Sequence, residues 1–169
     1  QQFKNTTKIY IGSSKKRNLK NVEIVTGNID TIKFDESLIG SFDRLISIEM
    51  FEHMKNYDVL LEKISPLLKP NGLMFIHIFV SRVFPRHYVV ESDTDWMTKY
   101  FFEGGTLPSE DTLLYFQNDF ALKNKWNVNG KHYSLTLEAW LQNMDREIVT
   151  VRKLFNEYYG EDNAVKWIA

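Results

Sequence analysis

The chain has 169 residues, 43% of them apolar, enough to bury one core of ordinary size, so one domain or part of one is expected. Lys+Arg 21 against Asp+Glu 22 gives a net charge of -1, which offers no bulk attraction to nucleic acid or to an anionic membrane. With no cysteine, disulfides, thiolate metal sites and a Cys nucleophile are excluded; no stretch nears the roughly 20 apolar residues of a membrane span, and the chain reads as cytoplasmic.

Residues 3 to 19 are polar and basic with scattered apolar positions, the pattern of a weak amphipathic helix interrupted near Gly12. "NVEIVTGNI", Asn21 to Ile29, is short and β-branched and predicts a buried strand. "FDRLISI", Phe42 to Ile48, predicts a second. Apolar residues at helical spacing in "NYDVLLEKISPLLKPNG" predict a helix stopped by Pro70-Asn71-Gly72, and "LMFIHIFV", Leu73 to Val80, a third strand. Continuously apolar strands separated by a helix point to βαβ units and a parallel sheet, hence an α/β fold. Ligands in such sheets bind outside the carboxyl ends of the strands.

From Ser81 to Pro108 the sequence turns aromatic and rich in glycine and proline, as expected of a substrate-side insertion within the domain. "SEDTLLYFQND" predicts a helix capped by Ser109, and "FALKNKWNVNG" a strand ending at Gly130. "SLTLEAWLQNMDREIVTVRKLFNEYYG" predicts one long amphipathic helix closed by Gly160. Ala164 to Ala169 look like a further helix cut short, and the start at Gln1-Gln2 lacks an initiator Met, so a piece of a longer protein is expected.

The chemistry concentrates in "ISIEMFEHM", Ile46 to Met54. Here Glu49, Glu52 and His53 follow an apolar strand directly, at the end of a sheet where ligands bind. If Glu49 starts a turn of helix, it lies three residues from Glu52 and four from His53, so each pair can share a face; if the segment is an irregular loop, all three can still line one cleft. A carboxylate beside an imidazole fixes its tautomer and raises its basicity, and two carboxylates with little positive charge stabilise an ammonium or a sulfonium. The plainer reading is a solvated helix start whose acids answer the helix dipole. No metal is expected, because the run matches neither His-Glu-x-x-His nor its reverse. His77 within an apolar strand reads by default as a core histidine, Tyr133 and Trp140 as core of the last helix, and Gly104-Gly105 as turn chemistry. Neither a G-x-G-x-x-G loop, nor a Walker loop, nor a Gly-x-Ser-x-Gly elbow occurs.

Three segments together, "FDRLISIEMFEHMKNYDVLLEKISPLLKPNGLMFIHIF", "DTDWMTKYFFEGGTLPS" and "HYSLTLEAWLQNMD", resemble S-adenosylmethionine-dependent methyltransferases of the coclaurine N-methyltransferase type. These go with the cyclopropane-fatty-acyl-phospholipid synthases and mycolic acid methyltransferases. The resemblance implies part of a Rossmann-like class I methyltransferase sheet, with the glycine-rich cofactor loop expected upstream of Gln1 and the last strands after Ala169. On its own such a piece is expected to be inactive. S-adenosylmethionine is the implied cofactor and S-adenosylhomocysteine its product.

Residue by residue, the resemblance places Asn28 and Ile29 beside adenine, with Asn where the family commonly has Asp. Glu49, Glu52 and His53 match the motif that binds and helps deprotonate an acceptor amine. The lipid synthases usually carry Gly in place of Glu49, while Glu52, His77 and Tyr133 also match their bicarbonate-holding positions. Trp96, Tyr100, Phe101 and Phe102 are expected to form an aromatic wall for the substrate. The implied partner is a small amine or a lipid, with no nucleic acid; the rivals to N-methylation are lipid methylene transfer and a methyltransferase-like binding module without activity. The acceptor's identity and the oligomeric state are not legible.

Overall fold

The computed structural model describes residues 21–22, 25–92 and 95–168. The weak helix expected over residues 3 to 19 lies outside them. The chain divides into two compact units, one ending at Leu122 and the other beginning at Lys123, and each is taken by itself.

The first unit is built on two parallel strands, β1 (Phe42–Ile48) and β2 (Leu68–His77), joined through helix α1 (Tyr57–Ile64). The register pairs Leu45 with Met74, Ile46 with Phe75, Ser47 with Ile76 and Ile48 with His77. Alternation of side chains along a strand then sorts the two faces. Leu45, Met74 and Ile76 pack against a core of Phe51, Tyr57, Leu60, Leu61, Ile64 and Leu67. On the opposite face Ile46 and Ile48 stay 70% and 61% exposed among the described residues.

Helix α1 begins where Asn56 accepts a hydrogen bond from the Val59 N–H with its side chain, at 3.2 Å. Its buried residues Tyr57, Leu60, Leu61 and Ile64 follow the spacing of a one-sided apolar stripe. Losing that cap should matter: Asn56→Ala is expected to lower the unfolding free energy by about 1 kcal/mol, read as a shifted urea midpoint at unchanged slope.

The helix stops earlier than its sequence suggests. Pro66 lacks an N–H to donate to the carbonyl four residues back, so α1 ends at Ile64 although Ser65 keeps helical angles (φ -58°, ψ -38°), and a 3-10 turn, Ser65–Leu67, leads into β2 at Leu68. Pro70-Asn71-Gly72 is therefore no helix stop. It lies inside β2, where Asn71 takes φ 64° and the pairing slips between Phe42 and Arg44.

Of the strand expected at Asn21 to Ile29, residues 23 and 24 lie outside the described residues, and Val25 to Asn28 take no regular structure and pair with no strand among the described residues. Beyond β2, residues 81–108 fold back on themselves rather than forming an open loop. Strands β3 (Arg86–His87) and β4 (Thr106–Leu107) pair antiparallel around helix α2 (Trp96–Tyr100). The Ser81 N–H donates to the Pro108 carbonyl at 2.7 Å and the Glu110 N–H to the Ser81 carbonyl at 3.0 Å, closing the excursion at its base. Ser109 caps no α-helix: its N–H donates to Thr112 Oγ1 at 2.8 Å, and only a 3-10 turn, Thr112–Tyr115, follows.

The second unit is helical, with α3 (Lys131–Arg146), α4 (Ile148–Tyr159) and α5 (Glu161–Ile168). The single long helix expected here is broken at Glu147, whose φ of -102° and ψ of 20° leave the α region just before the β-branched run Ile148 to Val151. Gly160 closes α4 with φ 79°, as its sequence position suggests. The strand expected over Phe120 to Gly130 does not form. No helix among the described residues is long and apolar enough to cross a membrane.

Candidate functional site

Glu49 is the first residue after β1 and takes φ 53°, a left-handed backbone that costs a residue with a Cβ about 1–3 kcal/mol. The chain turns sharply there and enters a 3-10 turn, Phe51–His53. The segment is thus the irregular loop, not the helix start. With three residues per turn, successive side chains diverge. Phe51 enters the core at 0% exposure, Glu52 is buried at 1%, and His53 faces outward. Tyr57 locks the turn: its hydroxyl donates to the Phe51 carbonyl at 2.9 Å and its ring meets Phe51 edge-on at 5.3 Å.

Glu52 is the electrostatic anomaly of the molecule. Burial pushes its carboxyl up to about 7; hydrogen bonding to its own backbone opposes this, and the neighbouring Glu49 carboxylate adds to the rise. Its Oε2 has no hydrogen-bond partner among the described residues. Tyr57 is pushed up to about 12 by burial and by the Glu52 charge. A carboxyl raised in the fold binds its proton more tightly folded than unfolded, so the protonated form stabilises the native state. That contribution is full below about 4.5 and is lost as pH rises towards about 7. Urea midpoints of wild type minus Glu52→Gln should therefore fall across that window and be flat above it. A difference that rises with pH there would contradict the burial of Glu52.

His53 carries the opposite shift. Burial pushes its imidazole below the ordinary value, with the Glu49 charge partly opposing, so the ring is biased towards the neutral form that accepts a proton. The burial comes from aromatic rings of the 81–108 segment. Phe102 stacks on His53 at 5.6 Å and 15°, and Phe101 meets it edge-on at 6.1 Å. Behind Phe102, Tyr88 stacks at 4.6 Å and Phe79 packs edge-on at 5.4 Å.

What seats these rings is a glycine. A Cβ on Gly105 would lie 2.5 Å from the Glu52 carbonyl oxygen, and the Gly105 carbonyl accepts the Tyr88 N–H at 3.1 Å. The paired glycines thus have separate jobs: Gly104 supplies the positive φ of 79° and Gly105 the close approach. Gly105 and Tyr88 escape a sequence reading that treats the pair as a turn; a second glycine where one suffices was the available signal.

The structure brings Glu49, Glu52, His53, His77 and Phe101 together. His77 is no backbone-satisfied core residue, because its side chain is 45% exposed and its Nδ1 lies 2.9 Å from Glu49 Oε1. Trp96 and Tyr100 pair with each other one turn apart on α2, at 5.8 Å. Tyr133 lies on α3 in the second unit, 51% exposed, and Trp140 is exposed as well, so neither is core there. No group of three or more Asp, Glu or His among the described residues has the geometry to hold a metal ion.

Asn28 and Ile29 decide how far the surface suits the S-adenosylmethionine that the resemblance implies. Asn28 is exposed, its carbonyl accepts the Thr31 and Ile32 N–H groups at 3.1 and 2.8 Å, and its Oδ1 accepts the Asp30 N–H at 2.9 Å. Lys63 on α1 pins the turn by donating to the Asp30 carbonyl at 2.8 Å. The Oδ1 lone pair left over suits the amino group of an adenine. Ile29 packs partly into the core and offers only its outer edge. These residues fit the adenine end of such a cofactor, and nothing in the sequence supplies a glycine-rich cradle for the rest.

Comparison with known proteins adds an independent line. The model of the mycolic acid cyclopropane synthetase family matches residues 13–162. (S)-Coclaurine N-methyltransferase from Thalictrum flavum subsp. glaucum is 39% identical over 150 residues, covering 88% of this chain and 40% of the relative. Pavine N-methyltransferase from the same plant is 38% identical over 157 residues, covering 91% and 43%. A crystal structure of coclaurine N-methyltransferase bound to N-methylheliamine and SAH superposes with a TM-score of 0.81 at 39% identity, covering 93% of this chain and 45% of that one. The chain spans less than half the length of the relatives it matches.

Proposed function

The chain belongs to the mycolic acid cyclopropane synthetase family, and from that premise we propose that it is the acceptor side of an S-adenosylmethionine-dependent N-methyltransferase acting on a small amine. Its α/β architecture is part of the Rossmann-like class I methyltransferase fold. The observation that carries the proposal is the joining of a buried carboxyl, Glu52, and the half-buried Glu49 carboxylate to a neutral-biased imidazole at the carboxyl end of β1.

An amine reaches such a site mostly as its ammonium ion. Glu49 attracts that cation, and Glu52, raised by burial and by the Glu49 charge, keeps its proton more readily than a free carboxyl, so the charge of the pair rests mainly on Glu49. His53 then accepts one N–H proton, leaving the nitrogen lone pair free. Phe101, with Trp96 and Tyr100 from the same segment, supplies flat apolar surface against which the substrate's body packs and its cation is stabilised. Asn28 and Ile29 would hold the adenine of S-adenosylmethionine, which would supply an activated methyl group for the amine nitrogen, with S-adenosylhomocysteine as the leaving product. Positioning is the chain's larger contribution, because alignment supplies much of the acceleration in such a displacement.

The test is a full-length enzyme supplied with methyl-labelled cofactor and offered coclaurine-like amines, then unsaturated phospholipids. Label in the amine supports the proposal. Label in the lipid alone makes it a lipid synthase, and no transfer to either makes it a binding module.

A further inference from the structure

The geometry points to His77 as a positioning residue that holds the Glu49 carboxylate, and through it sets where the negative charge of the site lies. The inference rests on the amine reading for its kinetic consequence but not for its physical basis. Because the strand register sets Ile48 opposite His77, the next residue, Glu49, meets His77 with both its backbone and its side chain. Its N–H donates to the His77 carbonyl at 2.9 Å, and its Oε1 lies 2.9 Å from His77 Nδ1.

A polar side-chain contact on an open surface would contribute little. Three observations set this one apart. Glu49 Oε1 is itself sealed from solvent and has no aligned hydrogen-bond partner among the described residues, so the 2.9 Å approach of His77 Nδ1 is a polar contact at close range, although the Glu49 side chain is 31% exposed. Glu49 has a left-handed backbone, which persists only where its surroundings over-determine it, and β2 supplies that determination through His77. Finally, the Glu49 charge reaches both neighbours in the site, Glu52 and His53. A carboxylate with that much influence must be held still, and His77 is the side chain placed to hold it.

The experiment is a double-mutant cycle in the full-length enzyme with His77→Ala, Glu49→Gln and the double variant. His77→Ala is expected to raise the KM for a methylated amine about tenfold, equivalent to about 1.4 kcal/mol, with kcat within about twofold and SAH affinity unchanged. Added to Glu49→Gln, it should cost nothing more, since a residue acting through Glu49 loses its leverage once that charge is gone. Losses that multiply would overturn the inference. Urea midpoints of the same variants read the pair without any turnover: the double variant should fall no further than the worse single, and an additive fall overturns the inference on its own. His77→Thr, which suits a strand, repeats the cycle if alanine weakens β2. Coupled midpoints in an enzyme that methylates no amine would strike the proposed reaction and leave the His77–Glu49 pair standing.

Discussion

His53→Ala in the full-length enzyme is expected to lower kcat for amine methylation by about 10²–10⁴-fold, the usual contribution of a positioned general base. SAH should bind with nearly wild-type affinity, because His53 belongs to the acceptor side and not to the Asn28 turn. The size of the effect follows from the surroundings of the ring. Phe102 and Phe101 cover part of the imidazole, and this partial burial biases the ring towards the neutral form that accepts a proton. A second readout separates a lost base from a lost shape. As pH rises towards the amine's own pKa, solution supplies the neutral nucleophile directly, so the deficit of His53→Ala should narrow. A deficit constant with pH would make His53 a packing residue, and wild-type turnover would remove it from the mechanism.

Why the site could be read from the sequence while much of its support could not is a matter of range. Glu49, Glu52 and His53 are neighbours in the chain, and β1, which delivers them, is delimited by its own apolar run, Phe42 to Ile48. The start of α1 is equally local, since the Asn56 cap and the stripe from Tyr57 to Ile64 lie within a few turns. Where two local signals compete, the outcome depends on tertiary context. Pro66 ended α1 before Pro70 was reached, and Pro70-Asn71-Gly72 became an irregularity within β2. Glu147 broke a helix whose apolar spacing ran on without interruption. Strands are more exposed still to this failure: Val25 and the segment from Phe120 have strand-like composition, but a strand is defined by its partner, and among the described residues none pairs with them. The His77–Glu49 contact belongs to the same class, because it exists only through the register of β1 against β2.

Gly105→Ala is expected to be the most damaging substitution outside the charged residues, lowering stability by about 1–3 kcal/mol through overpacking. It should also lower amine turnover by about 10²-fold, the cost of misplacing a catalytic group by about 1 Å. The new Cβ would meet a backbone carbonyl, that of Glu52, at 2.5 Å, and no side-chain rotation relieves a clash with backbone. Either the 3-10 turn carrying Glu52 and His53 moves, or the β3–β4 pair lifts and takes Phe102 and Tyr88 off the imidazole. Both routes disturb the same proton acceptor. Gly104→Ala is the control, because its Cβ would meet nothing within 4 Å and the residue is strained only by its φ of 79°. It should cost about 1–2 kcal/mol of stability without changing the KM for the amine. Urea unfolding and methyl transfer measured on both variants test the pair of expectations. Equal behaviour of the two would mean that the segment from Ser81 to Pro108 touches Glu52 without governing it, whereas a turnover defect confined to Gly105→Ala would make the glycine's missing side chain a requirement of the reaction.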